Sequence, residues 1–181
     1  MRKIFKFGNK TLVIGILNVT PDSFSDGGKY LSPDAAMAHA AQMIEYGADI
    51  IDIGAESTRP GATPISAETE FKRLKKILPA VKELGVPISI DTYKPEVAEK
   101  AMMRGASIIN DVHGLEDSRM IDVAKKFNAS VIAMHSEKCS DGDIISDIKK
   151  FFLRTLENCA AKNSCANASR TRIDPDRTTC S

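Results

Sequence analysis

The chain has 181 residues, 43% of them hydrophobic and 27% charged, with a net charge of +1. That is enough for one domain with a sizeable core, and the balanced charge gives no electrostatic case for nucleic acid or a membrane surface as partner. The first apolar run, about nine residues, is too short to span a bilayer, and its polar continuation does not resemble a signal-peptide cleavage site, so a cytoplasmic protein is expected.

That first run, Leu12–Val19, has the β-branched and aliphatic composition of a buried strand. It drives straight into a polar loop carrying Asn18, Thr20, Asp22, Ser23, Ser25 and Asp26 and closing on Gly27-Gly28. Further strands are predicted at Asp49–Gly54, Pro87–Asp91, Ser107–Val112 and Ser130–His135. Helical patterns fall between them. The first covers Pro33–Tyr46, with Ser32 as N-cap, Pro33 at the first helical position and Gly47 as stop. The second runs over Ala67–Leu84, with Glu68 and Glu70 in its first turn and Gly85 beyond its end. A third follows Lys94-Pro95 and stops at Gly105, and a fourth covers Ser118–Phe127. The fifth, Ile144–Ala161, carries Ile145, Ile148, Phe152, Leu156 and Cys159 at helical spacing.

Strict β–α alternation implies a parallel sheet with helical crossovers, either an open doubly wound sheet or a (β/α)8 TIM barrel. No G-x-G-x-x-G follows the first strand, and no Walker A lysine motif occurs. An open sheet needs polar tips only at its switch point. Here every strand end is polar: Asn18; Glu56 to Arg59; Asp91 and Thr92; Asn110 and Asp111; His135. Polar tips converging from all strands fit a barrel mouth. A complete barrel takes roughly 250 residues, so this chain is expected to form an incomplete one of about five β/α units over residues 1–162. The remainder, 163–181, is polar and aperiodic, and is expected to be an irregular tail. Cys139, Cys159, Cys165 and Cys180 show no metal-site spacing and are expected to be free thiols.

Four motifs carry a resemblance to a known family. NVTPDSFSDGG (Asn18 to Gly28), GAESTRPGA (Gly54 to Ala62), SIDTYKPEVA (Ser89 to Ala98) and INDV (Ile109 to Val112) resemble those of the dihydropteroate synthases, in order and at matching spacing. The family is built on the (β/α)8 barrel. The related pterin-binding methyltransferases share the barrel and the Asp91 and Asn110 region, but generally lack the first two loops.

The implied reaction joins (7,8-dihydropterin-6-yl)methyl diphosphate to p-aminobenzoate with loss of pyrophosphate. By resemblance, Asn18 is a Mg²⁺ ligand, with the ion completed by water and substrate phosphate. Thr58 and Arg59 would bind the diphosphate, for which the planar guanidinium is well suited. Asp91 and Asn110 would grip the hydrogen-bonding edge of the pterin. Strand alternation alone leaves Asp111 as an alternative to Asn110, and Asp91 could instead cap the helix after Pro95. Met134 would pack on the pterin face. Phe24 and Pro60 would shape the p-aminobenzoate pocket, and Asp26 would stabilise the developing cation. Sulfonamide-type inhibitors and a homodimer are compatible with the resemblance.

After Met134-His135 the family pattern Met-x-Gly-x-Pro gives way to Ser136-Glu137-Lys138-Cys139. The Asp-Pro-Gly-x-Gly-Phe, Ser-x-Lys and Arg-x-His motifs of the later strands are not intact. Ile173-Asp174-Pro175 echoes the first of them, but Asp176-Arg177 stands where glycines should. The expectation is therefore a synthase truncated after about five units and inactive alone. The other readings are a non-catalytic pterin-diphosphate-binding fragment and a methyltransferase relative.

Overall fold

The computed structural model describes residues 10–20, 32–58, 61–137 and 143–162. Five strands, β1 (Ile14–Asn18), β2 (Ile50–Gly54), β3 (Ile88–Asp91), β4 (Ile108–Asp111) and β5 (Ser130–Ala133), alternate with helices α1 (Pro33–Glu45), α2 (Ala67–Leu74), α3 (Ile77–Lys82), α4 (Pro95–Met102), α5 (Ser118–Phe127) and α6 (Ile144–Ala161). All pairings are parallel, and the spatial order is β1-β2-β3-β4-β5. A doubly wound sheet reverses its order at a switch point. An order that never reverses curls in one direction, so these strands form an arc of a (β/α)8 barrel.

The helix starts follow local chemistry. The side chains of Ser32, Ser66, Asp117 and Asp143 each accept a backbone N–H of the first turn, giving α1, α2, α5 and α6 their N-caps. Asn128 closes α5 in the left-handed conformation at φ 49°. The predicted Ala67–Leu84 helix is in fact two, α2 and α3, with a break at Lys75–Lys76. Pro79 supplies the reason. Its ring lacks an N–H and crowds the carbonyl four residues back, on Lys75, so it is accommodated only in the first turn of a new helix.

Strand alternation divides the sheet into two faces. Leu17, Ile51, Ile53, Ile88, Ile90 and Ile109 point outward and are buried in one cluster with Ala36 and Ala40 of α1, Leu74 of α2, Leu78 and Val81 of α3, Val97, Ala98 and Ala101 of α4, and Met120 and Ile121 of α5. The alanines of α1 and α4 let those helices approach the sheet closely. The inner face is covered unevenly. Ile50 and Ile108 on the middle strands are buried, whereas Ile16 on β1 is 62% exposed and Ile132 and Met134 on the β5 side are also exposed. Among the described residues no helix is long and apolar enough to cross a membrane, and Cys159 is buried and forms no disulfide; the other three cysteines lie outside the described residues.

Candidate functional site

Parallel register carries the strand ends into layers on the inner face. Asn18 pairs with Gly54, Gly54 with Asp91, Asp91 with Asn110, and Asn110 with Ile132. Residues aligned in this way share a face, so Asn18, Asp91 and Asn110 converge although up to 92 positions separate them in sequence (110 − 18). Gly54 makes the convergence tight. A Cβ there would lie 3.2 Å from Asp91 Oδ2 and 3.3 Å from Asn18 Oδ1. Both oxygens border the space that a side chain at position 54 would fill.

One step deeper lies a second layer, Ile16–Asp52–Ser89–Ile108–Ser130. Asp52 is 6% exposed and accepts a 3.0 Å hydrogen bond from Asn110 Nδ2. Among the described residues, Asp52 Oδ1, Ser89 Oγ and Asp91 Oδ1 are buried without a hydrogen-bond partner. Native interiors rarely leave such atoms unsatisfied, and these three cluster on the face the strand ends share. Burial is the main cause that raises Asp91 to a pKa of about 7, followed by the negative charges of Asp52, Glu70, Asp111 and Glu56. A layer of acids and a carbonyl-bearing amide suits a ligand edge rich in N–H donors.

Asp111 does not share this face. Its carboxylate accepts from the backbone N–H groups of His113, at 2.8 Å, and Leu115, at 3.2 Å, and so folds the turn after β4. Asn110 is therefore the inward residue. Asp91 is not a helix cap either, since Lys94 occupies the N-cap of α4 and makes no side-chain cap bond. Gly114 completes that turn at φ 66°, where a Cβ would lie 2.6 Å from the Met134 carbonyl oxygen, so only glycine fits. Met134 stands at the mouth, 51% exposed. His135 packs edge-on against Phe151 of α6, ring centroids 4.9 Å apart, which is a structural role.

A second group of buried charges sits under the β2–α2 loop. Glu56 accepts from Ile65 N at 2.9 Å and from the Tyr93 hydroxyl at 3.1 Å, and also pairs with Lys94 Nζ. Lys94 bridges at 2.8 Å to Glu70, which is wholly buried on α2. Arg73 donates to the Ala55 carbonyl at 2.7 Å, and Tyr93 stacks on His113. Burial pushes Glu56 upward, but the bonds from Lys94, Ile65 and Tyr93 together hold it below the usual carboxylate range. Burial raises Glu70, against the pull of Lys94. This clamp fixes the base of the loop that leads to Thr58, which is exposed on the strand-end side. Phe24, Asp26, Arg59 and Pro60 lie outside the described residues. Glu70, expected from its position to complement the helix dipole, is instead an anchor, and neither Asp52 nor Lys94 was identified from sequence.

Among the described residues no group of three or more His, Cys, Asp or Glu side chains could hold a metal ion. Asn18 at the end of β1 is exposed and offers one hard amide oxygen, which fits a Mg²⁺ ion that keeps most of its ligands as water and phosphate.

The sequence pattern of the family described as "Pterin binding enzyme" matches residues 14–175. Dihydropteroate synthase of Bacillus subtilis (strain 168) is 56% identical over 154 residues, which is 83% of this chain and 54% of that protein. The crystal structure of a dihydropteroate synthase from Clostridium difficile, obtained with pteroic acid, superimposes with a TM-score of 0.84 at 43% identity over 89% of this chain and 63% of that one. That of Xanthomonas albilineans with 4-aminobenzoic acid gives a TM-score of 0.77 at 39% identity over 83% of this chain and 56% of that one. The chain thus spans a little over half the length of these relatives. It belongs to the pterin-binding enzyme family.

Proposed function

We propose that the chain acts as a dihydropteroate synthase, binding (7,8-dihydropterin-6-yl)methyl diphosphate and condensing it with p-aminobenzoate. The observation that carries this reading is the Asn18–Gly54–Asp91–Asn110 layer, with its unpartnered acid oxygen above Asp52 and Ser89. Asp91 and Asn110 take the donor edge of the pterin. Asn18 faces the diphosphate, where Mg²⁺ would neutralise the phosphate charge when bound. Thr58 and Arg59 bind the same diphosphate, and Met134 covers the ring. Phe24 and Pro60 wall the p-aminobenzoate pocket, and Asp26 stabilises positive charge at the pterin methylene. The methylene C–O bond breaks and pyrophosphate departs with its electron pair. The arylamine nitrogen then bonds to the methylene carbon and loses a proton. Holding both reactants in line, away from water, is the chain's contribution. Residues 1–162 would form the barrel segment in which this happens, in the cytoplasm.

A second reading, binding of the pterin diphosphate without turnover, is not favoured by the relatives, which are themselves dihydropteroate synthases. An assay of the purified chain for Mg²⁺-dependent dihydropteroate formation separates the two. Turnover that disappears in Asn18→Ala and Arg59→Ala supports the synthase. A folded chain that binds the pterin diphosphate but forms no product supports the second reading, and one that does neither overturns both.

A further inference from the structure

From the placement of Asp52 we infer that it is a positioning residue for ligand selection: it fixes the amide of Asn110 so that the carbonyl oxygen is presented to the ligand. The inference rests on the reading of the strand ends as a pterin site. Asp52 sits in the middle of the otherwise apolar strand Ile50–Gly54, one layer below the tips, and is 6% exposed. No fold requirement explains an acid there, since its register neighbours on the inner face are Ile16 and Ser89. Its Oδ2 accepts from Asn110 Nδ2 at 3.0 Å.

An asparagine amide can present a donor or an acceptor, and it reverses by turning over. A carboxylate accepts and does not donate, so a carboxylate partner holds the amide one way. One N–H of the Asn110 amino group is committed to Asp52, which fixes which way round the amide stands, with Oδ1 turned away from Asp52. Asp91 is the register neighbour of Asn110, so two acceptors stand side by side on adjacent strands. A 2-amino-4-oxo pyrimidine edge presents adjacent N–H donors and matches them. A 2-oxo edge places an acceptor where the amino group would be, and meets unpaired oxygens that are costly to bury.

The test compares pterin with lumazine, its 2-oxo counterpart, by fluorescence titration of the full 181-residue chain and two variants. Asp52→Asn keeps shape and volume but can give or take a hydrogen bond, leaving Asn110 free to turn over. Asp52→Ser is too short to reach Asn110 and frees it likewise, which keeps the test decisive if Asp52→Asn folds poorly by circular dichroism. The parent should prefer pterin by about tenfold or more, and both variants should bring the ratio towards unity, chiefly by gaining lumazine. A merely structural Asp52 would weaken both ligands together and leave their ratio unchanged, which overturns the inference. A parent that binds both ligands alike also overturns it while leaving the pterin site standing; a parent that binds neither takes the pterin reading down with it.

Discussion

Two sets of buried acids lie a few residues apart at the strand ends, and they are treated differently. Glu56 and Glu70 share one cation, Lys94, and Glu56 also takes donors from Ile65 and Tyr93. Among the described residues Asp52 and Asp91 have no cation between them; each keeps a buried oxygen without a partner, as Glu70 Oε1 does, so it is the shared cation that sets the two pairs apart. The leading influences on Asp91 are burial and four other acids. A fold tolerates the first arrangement because buried charges that are paired and hydrogen-bonded recover much of their desolvation cost. The second is a local loss that folding alone does not explain, and it marks where a ligand completes the hydrogen bonding.

The largest expected effect breaks the compensated set. Lys94→Met leaves two buried glutamates facing each other and should lose about 3–5 kcal/mol in denaturant titration. The loss should shrink as pH is lowered, because protonation removes the charge that lost its partner. A loss under about 1 kcal/mol would mean that Lys94 does not hold the clamp.

Asp91→Asn tests the uncompensated set and should act in the opposite direction. The Asp91 carboxyl titrates near 7 in the fold against an ordinary value of 3.8. Between these values the folded chain holds a proton that the unfolded chain has lost, so stability falls as pH rises through that window. The variant should flatten that slope and, above pH ~7, be the more stable protein by on the order of 3 kcal/mol, while losing pterin binding. In the parent, a donor-rich ligand favours the ionised acid. Pterin binding should therefore strengthen as pH rises towards about 7 and release a proton, readable by calorimetry in buffers of different ionisation heat. An unchanged slope in Asp91→Asn would place the charge burden elsewhere.

Of the compensated set only Glu56 stood out in the sequence, as a polar strand end, and of the other set only Asp91, for physical reasons. Apolar runs ending in polar residues gave away the five strands and the mouth they surround. Asp91 and Asn110 stand at those ends, where polarity is conspicuous. Asp52 was missed because it lies inside Ile50–Gly54, a run that reads as plain interior. The signal was present all the same, as a lone acid in a strand buried on both faces, which needs a partner or a function. The choice between Asn110 and Asp111 could not come from alternation, since either phase keeps one apolar neighbour outward; the turn that Asp111 ties through His113 and Leu115 decides it. Glu70 fitted a helix-dipole role in its first turn, and only the tertiary approach of Lys94 from the β3–α4 connection reveals the anchor. The break between α2 and α3 was legible in Pro79, but the apolar spacing across Leu74, Ile77, Leu78 and Val81 masks it.

Gly54→Ala sharpens the comparison at the gap bordered by Asp91 and Asn18. The added methyl would sit 3.2 Å and 3.3 Å from their oxygens, closer than ordinary contact. Side chains at a partly open mouth can yield by a few tenths of an ångström, so stability should change by less than about 1 kcal/mol. Ligand placement is less forgiving, and pterin affinity should fall roughly tenfold. Equal affinity in parent and variant would show that the gap at Gly54 is not part of the ligand's space.

The smallest effect concerns how independent the two sets are. Ser66 caps α2, its hydroxyl accepting from Thr69 N at 3.2 Å, and α2 carries Glu70 four residues on. Ser66→Ala should cost about 1 kcal/mol, the usual price of an N-cap. Glu70 is held by Lys94 as well as by its helix, so loosening the first turn should leave the carboxylate in place. Asp91 is reached from Glu70 only through charge, which removing an uncharged hydroxyl does not alter. Pterin affinity and its pH dependence should therefore match the parent. A variant that loses affinity in step with stability would show that the clamp and the pocket behave as one cooperative unit, and that the contrast between compensated and uncompensated acids is a division of chemistry without a division of mechanics.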